Sequence, residues 1–290
     1  MAINFDALRF MGVPQRKVEL DTIRAFIEDG DTKRINFAYN QPTALKRAEN
    51  QKCVGWFNLP FEDTIESVLR SYLSLTKVLF TSPKAFNNRV YRRIDTEEEF
   101  NTFGSFIEKY KDLVFLRDTL DLSVALSMHE TEPDVRTPFG EHEYQVKYQS
   151  ENRDTSADKA VLQSELQKRL EELPYFKMAD YICAVPSSKP FMRDLVAGLT
   201  GFSFEDISEK VSWQSKDGSL KDVETADEKL DMIQSWGLTF GADLDLKDKN
   251  VLLVDDMYYS GVTLQYIAMM MKEAGAKRVF GMTLVKSLGN

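Results

Sequence analysis

Val251-Leu252-Leu253-Val254-Asp255-Asp256-Met257-Tyr258-Tyr259-Ser260-Gly261-Val262-Thr263 is the stretch on which the reading of this chain turns. Four consecutive apolar residues without alternation describe a strand buried on both faces, as in a parallel sheet covered by helices. Two adjacent carboxylates stand at the C-terminal end of that strand, where open α/β sheets bind ligands. A short turn of hydroxyls and a glycine then enters a helix, with Leu264, Ile267, Ala268 and Met271 on one face and Gly275 as its C-terminal cap. Backbone N–H groups at a helix start, together with the helix dipole, favour an anion such as phosphate. Gly261 lets the backbone come close to that anion. The stretch therefore offers a phosphate seat at one end and, at the other, two acceptors suited to a sugar diol.

Working outward, residues 278–285 supply the next strand, so 250–285 form a strand–loop–helix–strand unit that closes right-handed into a parallel sheet. Upstream, Tyr181-Ile182-Cys183-Ala184-Val185 reads as a second core strand ended by Pro186. A helix begins near Pro190, with Met192, Leu195, Val196 and Leu199 at helical spacing. Ser187, Ser188 and Lys189 follow that strand end, and Arg193 lies one turn further, so all four are candidates for a second anion across the cleft. The polar, weakly periodic stretch 203–250 is expected to contain a mobile loop, with Trp213, Lys210, Lys216 and Lys221 as parts of a lid that excludes water.

Residues 144–148 suggest a strand, followed by an amphipathic helix carrying Val161, Leu162, Leu166, Leu170 and Leu173. Pro133, Pro138 and Gly140 mark the expected domain boundary, which gives a mixed, helix-rich N-terminal module over 1–135 and an α/β domain over 136–290. In the module, Leu20, Ile23 and Ile27 suggest a short helix, and Phe61, Ile65, Val68, Leu69, Tyr72 and Leu79 a longer one. Thr96 with Glu99 reads as a capping box before an aromatic face of Phe100, Phe103, Ile107 and Tyr110. Lys84, Arg89, Arg92 and Arg93 interleave with Phe86 and Tyr91, a mixture able to stack and pair with nucleic acid, although an ordinary exposed surface is the favoured reading.

Composition narrows the function. The chain has 290 residues and a formal net charge of −9, which disfavours nonspecific nucleic-acid binding. No long apolar run predicts a membrane span, and the N-terminus does not read as a secretory signal. Two distant cysteines and two histidines do not make a disulfide framework or a metal centre, and a reducing cytoplasm is expected. A strand ending in Asp-Asp also occurs in P-loop NTPases, but no G-x-x-x-x-G-K-[ST] stands upstream. A phosphorelay receiver carries its acid pair on its first strand, with most of the domain behind it, whereas here few residues follow.

Residues 251–263 resemble the phosphoribosyl-pyrophosphate loop of type I phosphoribosyltransferases: four apolar residues, two acids, then a hydroxyl-rich turn with Gly-x-Thr. The likeness extends over roughly 140–288 in the manner of the ComF-like branch, through Lys147-Tyr148 and the helix 155–173, through Ala184-Val185-Pro186, and through Ala274-Gly275-Ala276 with the strand after it. Three features depart from that pattern. Tyr259 stands where Ser or Thr is usual, no N-terminal cysteine cluster is present, and Pro186-Ser187-Ser188-Lys189-Pro190-Phe191-Met192-Arg193 replaces the usual basic signature.

The resemblance implies an α/β fold with a parallel sheet flanked by helices. It implies transfer of ribose 5-phosphate from phosphoribosyl pyrophosphate to a nucleobase or other nitrogen acceptor, with magnesium carried mainly by the pyrophosphate. Asp255 and Asp256 would meet the ribose hydroxyls, and Met257, Tyr258, Tyr259, Ser260, Gly261, Val262 and Thr263 would cradle the 5-phosphate. Ser187, Ser188, Lys189 and Arg193 would meet the pyrophosphate. The second reading is a non-catalytic protein that binds this metabolite, or a nucleotide, as a regulator or as an effector in a multi-protein assembly such as a bacterial defence system. Residues 1–135 would set the acceptor in the enzyme reading, or serve self-association or a protein partner.

Overall fold

The computed structural model describes residues 15–38, 44–49, 52–61, 64–76, 84–86 and 89–289. Leu79 and the side chains of Lys84, Phe86 and Arg89 lie outside what is described. Two compact units emerge, one built on residues 32–117 and the other on 14–31 with 118–290. The larger unit opens with helix α1 (Leu20–Glu28), whose Ile23 is fully buried.

In the smaller unit, β1 (Arg34–Asn36) precedes β2 (Leu45–Arg47) and β3 (Gly55–Leu59), and α2 (Ile65–Leu75) leads to β4 (Lys84–Phe86) and β5 (Arg89–Ile94). Helix α3 (Glu97–Lys109) and β6 (Val114–Leu116) complete it, with β6 antiparallel to β1. The strands β2-β3-β5-β4 form an antiparallel sheet in that order. Along β3, Gly55, Phe57 and Leu59 are buried while Trp56 and Asn58 are partly exposed, the alternation of a sheet covered on one face. The covering element is α3, whose Phe103 ring lies 4.6 Å from that of Phe57. Half of the expected capping box forms: Thr96 Oγ1 accepts from the Glu99 N–H, but Glu99 bonds the Asp95 N–H instead of that of Thr96.

The rest of the larger unit begins with β7 (Leu122–Met128), a hairpin of β8 (Glu130–Glu132) and β9 (Val135–Arg136), and α4 (Pro138–Tyr148). Then come α5 (Ser156–Glu172), β10 (Tyr181–Ala184), α6 (Phe191–Ala197) and β11 (Glu205–Asp206). They are followed by β12 (Val211–Trp213), α7 (Ala226–Ser235), β13 (Leu238–Phe240), β14 (Asn250–Tyr258), α8 (Val262–Glu273) and β15 (Arg278–Lys286). Strands β7, β15, β14, β10 and β11 lie in that order with every neighbouring pair parallel.

This is the expected α/β architecture, a parallel sheet flanked by helices. Val251, Leu252, Leu253 and Val254 are fully buried, each side chain removed from water contributing about 1.5–3 kcal/mol. Val251 and Leu253 join a core shared with Ile23 of α1, Leu230 and Ile233 of α7, and Ile267 and Met271 of α8. By strand alternation Leu252 and Val254 face the other layer. Leu162, Leu166 and Leu170 of α5 are buried as expected, whereas Val161 is exposed.

Two expectations are corrected. Residues 144–148 are the last turn and a half of α4, not a strand. Thr137 caps that helix by accepting from the Gly140 N–H at 2.8 Å, and Pro138 occupies its first turn. The boundary expected near residue 136 falls inside the larger unit, because β7 pairs with β15 in the central sheet. The segment 203–250 also carries regular elements on both sides of an irregular stretch over 214–225: β12 and β13 pair antiparallel, and α7 starts with a complete capping box of Thr225 and Glu228.

Candidate functional site

Strand β14 carries Asp255 and Asp256 out of the sheet core between β10 and β15. They stand on the wall of a cavity of about 250 Å³. The remaining lining comes from residues 257–264, from Val185, Pro186 and Ser187 after β10, from Lys147 of α4, and from Trp236 with Lys216 and residues 218–221. Two strand ends, two helices and one loop thus converge on a space large enough for a sugar phosphate.

The acid pair is neutralised in part by the protein itself. Lys147 Nζ lies 2.6 Å from Asp256 Oδ2 and 3.6 Å from Glu143 Oε1. Burial works against the Lys147 charge, but Asp256 and Glu143 outweigh it and hold the ammonium above the ordinary lysine range. Glu143 has no exposed side-chain surface and sits 3.4 Å from His129 Nε2 on its other side. Asp255 accepts from the Asp256 N–H at 2.9 Å. Burial, then the neighbouring Asp256 charge, push the Asp255 carboxyl up to about 7 against the pull of Lys147 and Lys216. The site therefore holds a carboxyl group that changes charge near neutrality.

The loop is shaped from beneath. Tyr258 is buried, and its hydroxyl donates to Asp118 Oδ2 at 3.1 Å. Asp118 also accepts from Ser123 Oγ and the Leu120 N–H, and burial raises its carboxyl to about 6. Gly261 has φ +75°, and a Cβ there would fall 2.1 Å from the Tyr258 hydroxyl oxygen. Glycine is thus required by backbone conformation and by Tyr258, before any anion approaches. The Tyr258 side chain belongs to this support. Tyr259 is exposed, and its carbonyl accepts from Lys286 Nζ at 3.4 Å. Ser260 and Thr263 are partly exposed at the cavity wall, where α8 begins.

The segment after β10 behaves differently. Ser187 lines the cavity, while Ser188 and Arg193 line an adjoining space of about 410 Å³ with Ser208, Ser212 and Trp213. Arg193 pairs with Glu209 at 2.7 Å. Lys189 Nζ donates to the Lys147 carbonyl at 2.5 Å and lies 5.7 Å from the centre of the Tyr148 ring. Among the expected lid residues, Lys216 and Lys221 reach the cavity, and Lys221 Nζ lies 5.9 Å from the Tyr259 ring centre. Lys210 does not reach it, being paired with Glu205 and Asp243. Trp213 is a bracket: its indole N–H donates to the Pro186 carbonyl at 3.0 Å, and its ring packs edge-on to Trp236 at 5.4 Å.

Lys147 is a site residue to which the sequence pattern alone assigns no role. The usable signal was Glu143 four residues before Lys147, a helical pair once α4 is recognised. Among the described residues, no group of three or more His, Cys, Asp or Glu is arranged to hold a metal ion, and no helix is long and apolar enough to cross a membrane.

With this geometry in view, residues 186–288 match the family model of the phosphoribosyl transferase domain. Similar solved structures include a hypoxanthine-guanine phosphoribosyltransferase from Bacillus anthracis, at 18% identity over 44% of this chain and 67% of that one, with a TM-score of 0.30. Another is a hypoxanthine phosphoribosyltransferase from Staphylococcus aureus, at 18% identity over 44% of this chain and 64% of that one, with a TM-score of 0.29. No curated protein matches the chain.

Proposed function

We propose that the larger unit transfers ribose 5-phosphate from phosphoribosyl pyrophosphate to a nitrogen acceptor, releasing pyrophosphate. The observation that carries the reading is the acid pair Asp255–Asp256 at the end of β14, opening with the start of α8 onto one cavity. The phosphoribosyl transferase match over 186–288 supports the same chemistry.

In this reading the backbone N–H groups of residues 257–263 and the hydroxyls of Ser260 and Thr263 hold the 5-phosphate. Asp255 and Asp256 accept hydrogen bonds from the ribose hydroxyls. The bond from ribose C1 to the pyrophosphate oxygen breaks with its electron pair leaving on pyrophosphate. The acceptor nitrogen then supplies a lone pair to C1, and its proton passes to the departing pyrophosphate. As positive charge develops on the sugar, two carboxylates already fixed at a strand end stabilise it without reorganising. Lys216 and Lys221 provide positive charge on the cavity wall for the anionic substrate.

Magnesium would arrive on the pyrophosphate and help offset its charge. It takes few protein ligands and keeps several waters, so an acid pair facing a cavity suits it, and no protein ligand is assigned to it here. The test is a pyrophosphate-release screen with phosphoribosyl pyrophosphate, magnesium and a panel of nucleobases, nucleotides and nucleic acids. Release that depends on one acceptor class is expected.

A second reading, a protein that binds the metabolite or a nucleotide without turning it over, has its own support. Lys147 already engages Asp256, and Tyr259 stands in the loop where a hydroxyl residue is usual in the resembled family. Tight binding without release for any acceptor would favour it.

A further inference from the structure

We infer that the open face of the β2-β3-β5-β4 sheet in the smaller unit binds single-stranded nucleic acid. The sheet has two unlike faces. Phe57, Leu59, Val90 and Ile94 turn inward, and α3 covers them through Phe103. The residues between them in sequence point the other way. On that outer face Trp56 of β3 lies directly between Lys46 of β2 and Arg93 of β5 in the strand register. Directly opposite residues in an antiparallel sheet have Cβ atoms about 4.5–5.5 Å apart, so both cations flank the indole. One step along, Asn58 stands opposite Tyr91, and the Tyr91 ring lies 6.1 Å from that of Trp56.

Lys46 and Arg93 are exposed, and Trp56 and Tyr91 are partly exposed. Two partly exposed aromatic rings set edge to face, bordered by cations, offer what a single strand needs: a π face for a base and positive charge for its phosphates.

Charge favours the same occupant. Residues 32–117 hold 14 Lys and Arg against 10 Asp and Glu, although the whole chain holds 37 against 46. The chain's acidity therefore resides elsewhere, and it does not argue against an anion here. Three of the ten acids, Glu97, Glu98 and Glu99, form the first turn of α3, where Glu97 pairs with Arg47 and Glu99 with Arg92. Asp95 pairs with Arg93 at 2.6 Å, and Arg93 also donates to the Lys52 carbonyl. Arg93 thus already has partners, and Lys46 is the cation this face offers to a phosphate. A duplex could not present its bases to this surface, so the face selects single strands.

The test uses the full chain and fluorescein-labelled 12-nucleotide oligouridylate, oligothymidylate and a duplex of equal length, followed by anisotropy at several salt concentrations. Both single strands should bind more tightly than the duplex. Trp56→Ala should weaken single-strand binding by about 5- to 100-fold, and Trp56→Phe should restore most of it. Lys46→Gln, a surface change that spares the fold, should lower the slope of log affinity against log salt by about 0.7. Absence of single-strand binding at low salt, duplex binding as tight as single-strand binding, or an unchanged salt slope in Lys46→Gln would each overturn the proposal. If Trp56→Ala is unfolded, the Lys46→Gln slope and the duplex comparison still decide.

Discussion

The ends of β14 and β10 lie side by side on the parallel sheet, and each leads through a short polar segment into a helix. After β14, the carboxylates and hydroxyls face a cavity. After β10, the cations are taken up by the protein: Lys189 by a backbone carbonyl of α4, Arg193 by Glu209. Residue types of equal promise in the sequence thus have different prospects as ligand contacts. What separates them is the competing partner each side chain meets, although at the end of β14 Asp256 meets a cation as well, in Lys147.

Exchanging the acids should bring the largest effect. Asp255→Asn and Asp256→Asn each leave the shape of β14 intact and remove a charge aimed at the developing sugar cation. Turnover should fall by about 100- to 1,000-fold while ground-state affinity for phosphoribosyl pyrophosphate changes far less, measured by steady-state kinetics alongside calorimetry. Equal losses in both would place the two strand ends on the same footing, as simple binding surfaces.

A pH series on wild type and on Lys147→Met sharpens the comparison next. Asp255 titrates near 7, above its ordinary 3.8, so activity that needs its charge should rise with pH through about 7. The stability sign runs the other way. The folded state binds this proton more tightly than the unfolded chain, so this group's contribution to stability falls as pH rises from about 3.8 towards 7. Lys147→Met removes a charge that holds Asp255 down and strands Asp256 and Glu143 together. It should move the activity midpoint to higher pH and cost about 2 kcal/mol in urea unfolding, less than for a fully buried pair because Lys147 and Asp256 keep some water contact. An unmoved midpoint would mean that another group controls the profile.

The smallest effect is expected after β10. Arg193→Ala breaks an exposed pair worth about 0–1 kcal/mol and should change phosphoribosyl-pyrophosphate affinity by less than about threefold. A tenfold loss would show that ligand binding draws Arg193 away from Glu209, and the contrast between the two strand ends would fail.

What could be read in the sequence follows from how each element is buried. Residues 251–254 were legible because a strand covered on both faces must be a continuous apolar run. Helix α8 and strand β15 were legible for similar reasons, since α8 is buried along most of its length. Helix α4 was not: Tyr144, Val146 and Tyr148 alternate like a strand, while the helix buries only Gly140, Glu143 and Val146. Its start signal, Thr137-Pro138, was assigned to a boundary. Strand β7 went unnoticed although Leu122, Val124, Leu126 and Met128 are buried, and that omission misplaced the boundary. The segment 203–250 hid its structure because β12 and β13 have three residues each and find one another across a long polar stretch.

The seating of Gly261 over Tyr258 has a bearing on heredity. A descendant of this chain that lost its chemistry would still need glycine at 261, because the tyrosine ring beneath leaves no room for anything larger. Asp255 and Asp256 have no such protection, since two adjacent acids, the first pushed up to about 7 by desolvation and by its neighbour, are a burden that the scaffold could shed. Drift would therefore erode the acids first and the glycine last. In a comparison of descendants, the glycine would trace ancestry, and the aspartates would tell which of them still work.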